Sequence, residues 1–263
     1  MEIGTFARNT EQVKEALSKK PDFIDLRMDL DHSLNFGETK HMLLEADVKP
    51  TLHLPSSPDW KPLDLAREII PYIDIGSQIN ADLVTFHSTL SSIFYDDEDI
   101  DQFLENIPLA CDAAKENGIQ LAVETLGIYY TELMLLSEKC PEVKIALDIG
   151  HAQIMAHRNR ALGIIQEFQD SIAMVNVHDN KGALMIDEVL ELRKKGNVPP
   201  ETVREIAVRY DEHLPIGGGK IEFQPIFKSL KEVSYDGKFL MMCKDPSKFE
   251  SEREQFERLW LKA

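Results

Sequence analysis

The sequence predicts a closed (β/α)8 barrel, the TIM-barrel architecture, with a helical insertion after the seventh strand. Three observations point there. Short apolar runs alternate with amphipathic stretches eight times along the 263 residues. The links between them are short, with no low-complexity segment and no linker. From the third run onward, most runs stop on a histidine or a carboxylate, as in barrels whose strand ends share one mouth. A doubly wound open sheet is the alternative topology for the same alternation. The whole chain, 1–263, is read as one TIM-barrel domain.

Each element has a local reason. Glu2–Phe6 is a first strand, and Val13, Ala16 and Leu17 share one face of a helix from Thr10 to Lys19 that Pro21 ends. Phe23–Met28 alternates as strand two, Glu38–Ala46 is a short helix, and Thr51–Leu54 is strand three, closed by Pro55. Leu63–Asn80 reads as a helix that Pro71 should kink or split. Leu83–His87 is strand four, and Ile100, Phe103, Leu104, Ile107, Cys111 and Ala114 form an apolar stripe running to Gly118. Gln120–Glu124 is strand five and Thr131–Lys139 a helix stopped by Pro141. Lys144–Asp148 is strand six, with Gly150 letting the chain turn before His151 and a helix to about Phe168. Ile172–His178 is strand seven, Phe223–Leu230 a helix, Lys238–Cys243 strand eight and Ser247–Leu261 a final amphipathic helix.

One segment breaks the rhythm. The 32 residues from Asp179 to Tyr210 exceed an ordinary barrel loop. Helical spacing in Leu184–Lys195, and again after Pro199-Pro200-Glu201, predicts a helical hairpin inserted at about 182–210. Both its ends lie beside candidate ligands, so it is expected to cover the barrel mouth.

Composition narrows the function classes. Hydrophobic residues make up 43% and charged residues 29%, ordinary for a globular protein. No apolar run reaches membrane-span length, so no membrane partner is expected. The N-terminus shows no secretory pattern, and Cys111, Cys140 and Cys243 are scattered, which together suggest a reducing cytoplasm. A net charge of −17 disfavours broad nucleic-acid binding, although a local basic groove or bound cations can offset that field. A homo-oligomer is left open.

The chemistry gathers at the strand ends. Strands three to seven stop on His53, His87, Glu124, Asp148 (with His151 three residues on) and His178, and Asp211-Glu212-His213 follows the insertion. In a barrel these five histidines and three carboxylates converge. A lone histidine at a strand end is ordinarily a hydrogen-bonded structural residue, and an Asp there can cap the next helix. Eight such groups together need positive charge among them, and divalent metal supplies it. Imidazole with carboxylate favours zinc, with manganese or iron as alternatives.

At Leu147-Asp148-Ile149-Gly150-His151, Val177-His178-Asp179-Asn180 and Asp211-Glu212-His213-Leu214-Pro215-Ile216-Gly217, the sequence resembles the xylose isomerase-like TIM-barrel superfamily. That group includes sugar isomerases and epimerases and the endonuclease IV type of abasic-site DNA repair enzymes. The resemblance covers nearly the whole chain outside the insertion. In the endonuclease branch it implies three zinc ions. The first would lie on His53, His87 and Glu124, with Glu124 bridging to a second on Asp148 and His178, and the third on His151, Asp211 and His213. In the sugar branch it implies one metal on Glu124, Asp148 and His178 plus a glutamate ending strand eight. That glutamate is absent: where the family shows a Leu-Glu-Val-Lys-Asp run, this chain has Met241-Met242-Cys243-Lys244-Asp245. Lys244 shares the parity of Met242 but is expected in solvent.

These observations predict a metal-dependent sugar or sugar-phosphate isomerase or epimerase, with a small sugar as partner and Glu124 and His151 as catalytic residues. The alternatives are a metal-dependent phosphodiesterase acting on abasic DNA and a degenerate metal-binding barrel without turnover. A metal beside Met242 is expected to keep three protein ligands and water, so that Met242→Glu should tighten its binding.

Overall fold

The computed structural model describes residues 1–29, 31–56 and 65–263. Strands β1 (Glu2–Ala7), β2 (Phe23–Arg27), β3 (Lys49–His53), β4 (Leu83–Phe86), β5 (Gln120–Glu124), β6 (Lys144–Asp148), β7 (Ile172–Val177) and β8 (Lys238–Met241) are parallel and close in sequence order. The predicted barrel is therefore observed, and the open-sheet alternative is not. Helices α1 (Thr10–Ser18), α2 (Phe36–Glu45), α3 (Leu65–Gln78), α4 (Asp97–Glu116), α5 (Tyr130–Lys139) and α6 (Ala161–Phe168) follow β1 to β6 in turn. After β7 come α7 (Met185–Lys195) and α8 (Pro200–Tyr210), then α9 (Phe223–Glu232), and α10 (Phe249–Lys262) closes the chain. Among the described residues, no helix is long and apolar enough to cross a membrane.

The two-residue strand period divides the side chains into two sets. Outward residues such as Ile24, Leu26, Leu52, Val84, Val123, Leu147 and Val175 are buried against the helices. Phe6, Phe23, Leu83, Ala122, Ala146, Met174, Leu240 and Met242 form a separate apolar cluster inside the barrel. Along β2 the inward series runs Phe23, Asp25, Arg27, and the Cα of Arg27 registers with that of His53. The interior thus changes from apolar to polar towards the strand C-termini, where the candidate ligands stand.

Two predicted helices differ from the observed ones. Pro71 neither splits nor ends α3, which runs unbroken from Leu65 to Gln78. Ile69 and Ile73 on either side of it are fully buried, so packing offsets the lost backbone hydrogen bond. The start proposed at Leu63 lies outside the described residues. The helix expected after β6 is a single 3-10 turn, His151–Gln153, followed by irregular chain until α6 begins at Ala161. Met155 lies in the left-handed region at φ 54°, which interrupts a helix, and Asn159 ties the segment down by donating to the Ile149 carbonyl at 2.9 Å while accepting from the Ala161 N–H at 2.9 Å.

The hairpin α7–α8 sits on the ligand side of the barrel. Met185, Val189, Val203, Ile206 and Ala207 pack with Phe94 and Tyr95 from the loop after β4, Leu126 after β5 and Ile154 after β6. Arg204 fixes it there, donating to the Phe94 carbonyl at 3.2 Å and lying 5.3 Å from the Tyr95 ring centroid.

Candidate metal centre

Glu124, at the end of β5, is the hub. Its Oε2 lies 3.1 Å from His53 Nε2 and accepts from Asn176 Nδ2 at 3.0 Å. Its Oε1 lies 2.8 Å from His87 Nε2 and 2.7 Å from His151 Nδ1. Asp148 Oδ1 accepts the His151 backbone N–H at 2.7 Å and faces His178 Nε2 at 2.9 Å. Asp211 Oδ2 lies 2.9 Å from His151 Nε2 and 3.1 Å from His213 Nε2. The rings of His178 and His213 stack with centroids 3.8 Å apart. All eight residues singled out in the sequence therefore meet at one end of the barrel. Their side chains are fully buried except that of His213, which is 23% exposed, so the opening lies on its side.

The donor atoms gather into three overlapping groups, each within 4.8 Å: His53/His87/Glu124, Glu124/Asp148/His151, and His151/His178/Asp211/His213. The first matches the set implied by the resemblance. In the other two the grouping changes. His151 completes the trio with Glu124 and Asp148, and His178 joins His151, Asp211 and His213 while keeping its contact to Asp148.

Two tautomers follow from geometry. His53 Nδ1 lies 2.8 Å from the Leu54 carbonyl and His213 Nδ1 lies 2.9 Å from the Met242 carbonyl. A carbonyl only accepts, so Nδ1 carries the proton in both rings. In the neutral rings each Nε2 then turns a lone pair towards a carboxylate oxygen, Glu124 Oε2 or Asp211 Oδ2. Two acceptors at 3.1 Å need a proton or a cation between them. Asp148 Oδ2, Asp211 Oδ1, His87 Nδ1 and His178 Nδ1 are likewise buried without a hydrogen-bond partner among the described residues. Both features fit a divalent cation.

Without metal, the electrostatics follow from burial and mutual charge. Burial opposes an imidazolium at His151, but Asp148, Asp211 and Glu124 around it outweigh that and hold its pKa well above the usual histidine range. His178 is raised in the same way, mainly by Asp148. At His87 and His213 desolvation wins and lowers the pKa. Glu124, Asp148 and Asp211 would be raised by burial, yet the surrounding histidines hold all three below the usual carboxylate range.

The local chain explains the aim of these groups. Gly150 has ordinary right-handed helical angles, φ −66° and ψ −52°, so the turn does not require glycine there. Space does: a Cβ on Gly150 would collide with the His178 ring. His213 adopts the left-handed region at φ 45°, which swings its ring beside Asp211. Asp179 holds the following loop by accepting from the N–H groups of Gly217, Gly219 and Ile221 at 3.0, 2.9 and 3.0 Å.

The pattern of histidines and carboxylates at strand ends does not include Arg27, Asp25 and Asn176. All three point into the barrel, and the parity of Phe23 and Met174 is the signal that finds them. Arg27 changes the view of Met242. Met242 is buried, and Arg27 Nη1 lies 3.8 Å from its Sδ. The position of the missing glutamate is thus bordered by a guanidinium, and a carboxylate placed there would pair with Arg27. Lys244 is exposed, as expected.

Comparison with known proteins agrees with the fold. The chain is 23% identical over 243 residues to the uncharacterized protein MJ1614 of Methanocaldococcus jannaschii, covering 86% of this chain and 84% of that one. It superposes on a D-tagatose 3-epimerase-like protein with a TM-score of 0.72 at 20% identity, covering 98% of this chain and 97% of the other. The IOLI protein, solved with a zinc atom, gives 0.69 at 14% identity over 100% and 96%. A model of the xylose isomerase-like TIM barrel matches residues 22–263, and the chain belongs to that family.

Proposed function

We propose that this protein is a metal-dependent sugar isomerase, interconverting an aldose and a ketose by moving a proton between neighbouring carbons. The observation that carries the reading is Glu124, among the described residues the one carboxylate common to two donor groups, in a barrel whose strand-eight position, Met242, has no acid. Inverting one carbon by proton transfer calls for groups on both of its faces. Shuttling a proton between adjacent carbons needs only one base on one face. Met242 can neither take nor deliver a proton, which favours the one-base reaction over epimerisation.

The groups fitted to hold divalent metal are His53, His87, Glu124, Asp148, His151, His178, Asp211 and His213. A bound divalent ion would supply Lewis-acid polarisation of adjacent substrate oxygens. Glu124 takes the proton from carbon and returns it one atom along. His151 would hold metal through one ring nitrogen, Nδ1 beside Glu124 or Nε2 beside Asp211, and keep an N–H on the other near the substrate oxygens. The α7–α8 hairpin and the loops it packs on limit the entry of water, which protects an enediol from side reactions. The assay is aldose–ketose interconversion by protein reconstituted with zinc or manganese, with exchange of the transferred hydrogen against deuterated water. Absence of both interconversion and exchange across pentoses, hexoses and their phosphates would refute the proposal.

A second reading, hydrolysis of the DNA backbone at abasic sites, is favoured by the three overlapping donor groups, since the His53/His87 and Asp211/His213 pairs exceed what one metal needs. The net charge of −17 opposes it. Metal-dependent incision of an abasic duplex, with binding that weakens steeply as salt rises, distinguishes this reading from the first.

A further inference from the structure

We propose that Arg27 is an anion-recognition residue of this site, so that the preferred small-molecule substrate carries a phosphate or carboxylate group. The inference deepens the isomerase reading and rests on it for the identity of the ligand as a sugar.

Arg27 ends β2 on the inward face, in register with His53 of the ligand set. Its side chain is 7% exposed, an unusual place for a guanidinium, and such a buried charge needs an acceptor. Its acceptors are few. Among the described residues, Nε reaches Asp29 Oδ2 at 3.3 Å, and Nη1 meets only the Met242 sulfur, a weak acceptor. Nη2 makes no hydrogen bond to a described residue.

Asp29 does not neutralise Arg27 alone. The same Oδ2 accepts from Arg8 Nε at the shorter distance of 2.7 Å. Two arginines on one carboxylate leave the trio with one excess positive charge. Asp25, the next inward residue, is committed through Oδ1 to the Thr51 hydroxyl at 2.6 Å, and burial raises its pKa towards the neutral acid. An inward guanidinium whose Nη nitrogens find no oxygen acceptor among the described residues has the geometry to meet two oxygens of a phosphate or carboxylate. Methionine at 242 is consistent with this use, because a glutamate there would occupy that end from within the protein.

Calorimetry on the manganese-loaded protein at fixed ionic strength tests the proposal with three probes: fructose, fructose 6-phosphate and gluconate. The wild type is expected to bind at least one anionic probe more tightly than fructose. The favoured anion identifies phosphate or carboxylate as the source of the charge. Arg27→Gln should weaken that probe about ten- to a hundredfold, the usual worth of a hydrogen bond to a charged group, while leaving fructose unchanged. Asp29 keeps Arg8 in that variant, so its carboxylate is not stranded. Met242→Glu provides a second route that retains Arg27. Its new carboxylate should pair with the guanidinium and reduce the anion preference to a similar degree, even if Arg27→Gln fails to fold. A wild type with no preference for either anion overturns the proposal, as does a preference that survives both substitutions. Failure of manganese to bind in the preceding titration would instead strike the metal-isomerase reading, with Arg27 still tested by the anionic probes.

Discussion

Glu124→Gln is the sharpest test of the shared-ligand geometry. Four groups meet this carboxylate: His53 and Asn176 at Oε2, and His87 and His151 at Oε1. An amide of the same shape cannot serve all four. Placing its oxygen at the Oε2 position keeps Asn176 but turns the NH2 against His151 Nδ1, a ring whose raised pKa keeps it protonated. Placing its nitrogen there serves His53 and opposes the Asn176 amide. One buried contact is lost either way, a cost of about 1–3 kcal/mol. For a chain of this size that lowers the metal-free melting temperature by roughly 2–4 °C per kcal/mol.

The metal-dependent change is larger and more specific. At a metal concentration a hundredfold above Kd, the wild type should gain about 2.7 kcal/mol, or roughly 5–10 °C. Removing a ligand common to two of the three donor groups should weaken binding at least tenfold, which removes about 1.4 kcal/mol and halves that rise. Differential scanning calorimetry with and without zinc, on both proteins, measures it. An equal metal-induced rise in Glu124→Gln and wild type would show that Glu124 is not a ligand, and the assignment would fall.

Further expectations concern other parts of the site. Gly150→Ala should displace the His178 ring and lower metal affinity at least tenfold, with little effect if His178 is not a ligand; metal titration by calorimetry decides. In the metal-free protein, the raised pKa values of His151 and His178 contribute stability that is complete below about pH 6.5 and lost as pH rises through their folded values. The lowered values of Glu124, Asp148 and Asp211 contribute stability that is present above about pH 4 and lost as pH falls through theirs. Urea melts should therefore show an alkaline loss in the metal-free form that vanishes when metal holds the same histidines deprotonated. Metal binding at pH 7 should correspondingly release protons, seen as a dependence of apparent enthalpy on the buffer. Arg204→Ala should loosen α7–α8 by about 1–3 kcal/mol, read as faster hydrogen exchange in α7 and α8 with the barrel strands unchanged.

The sequence carried the barrel well because its signals were local. Lys144–Asp148 and Gln120–Glu124 are observed with their predicted ends, since a buried parallel strand is a continuous apolar run whose stop is marked by a ligand-type residue. The chain from Ile154 to Arg160 was not legible. It contains no proline, and the left-handed turn at Met155 and the tie from Asn159 to Ile149 are tertiary features that no local pattern announces. Gly150 was legible as a special position but for a different reason, because the His178 ring it accommodates comes from the next strand.

The partition of ligands was harder still. That eight groups converge follows from strand order alone, but which of them lie close together depends on distances across the barrel. His151 sits between Glu124, 2.7 Å from Nδ1, and Asp211, 2.9 Å from Nε2, so it belongs to two donor groups at once. His178 lies against His213 because the left-handed turn at residue 213 lays one ring on the other. Arg27 is the more instructive omission. Arginine is not a metal-ligating residue type, yet the period that put His53 and Glu124 inside the barrel also put Arg27 there. A buried cation beside a candidate cation site destabilises both unless an anion lies between them. Glu124 supplies part of that charge, and on the proposal above a bound anion would supply the rest. The methionine at 242 then reads as more than the loss of a ligand, because it keeps the protein from answering Arg27 with a carboxylate of its own.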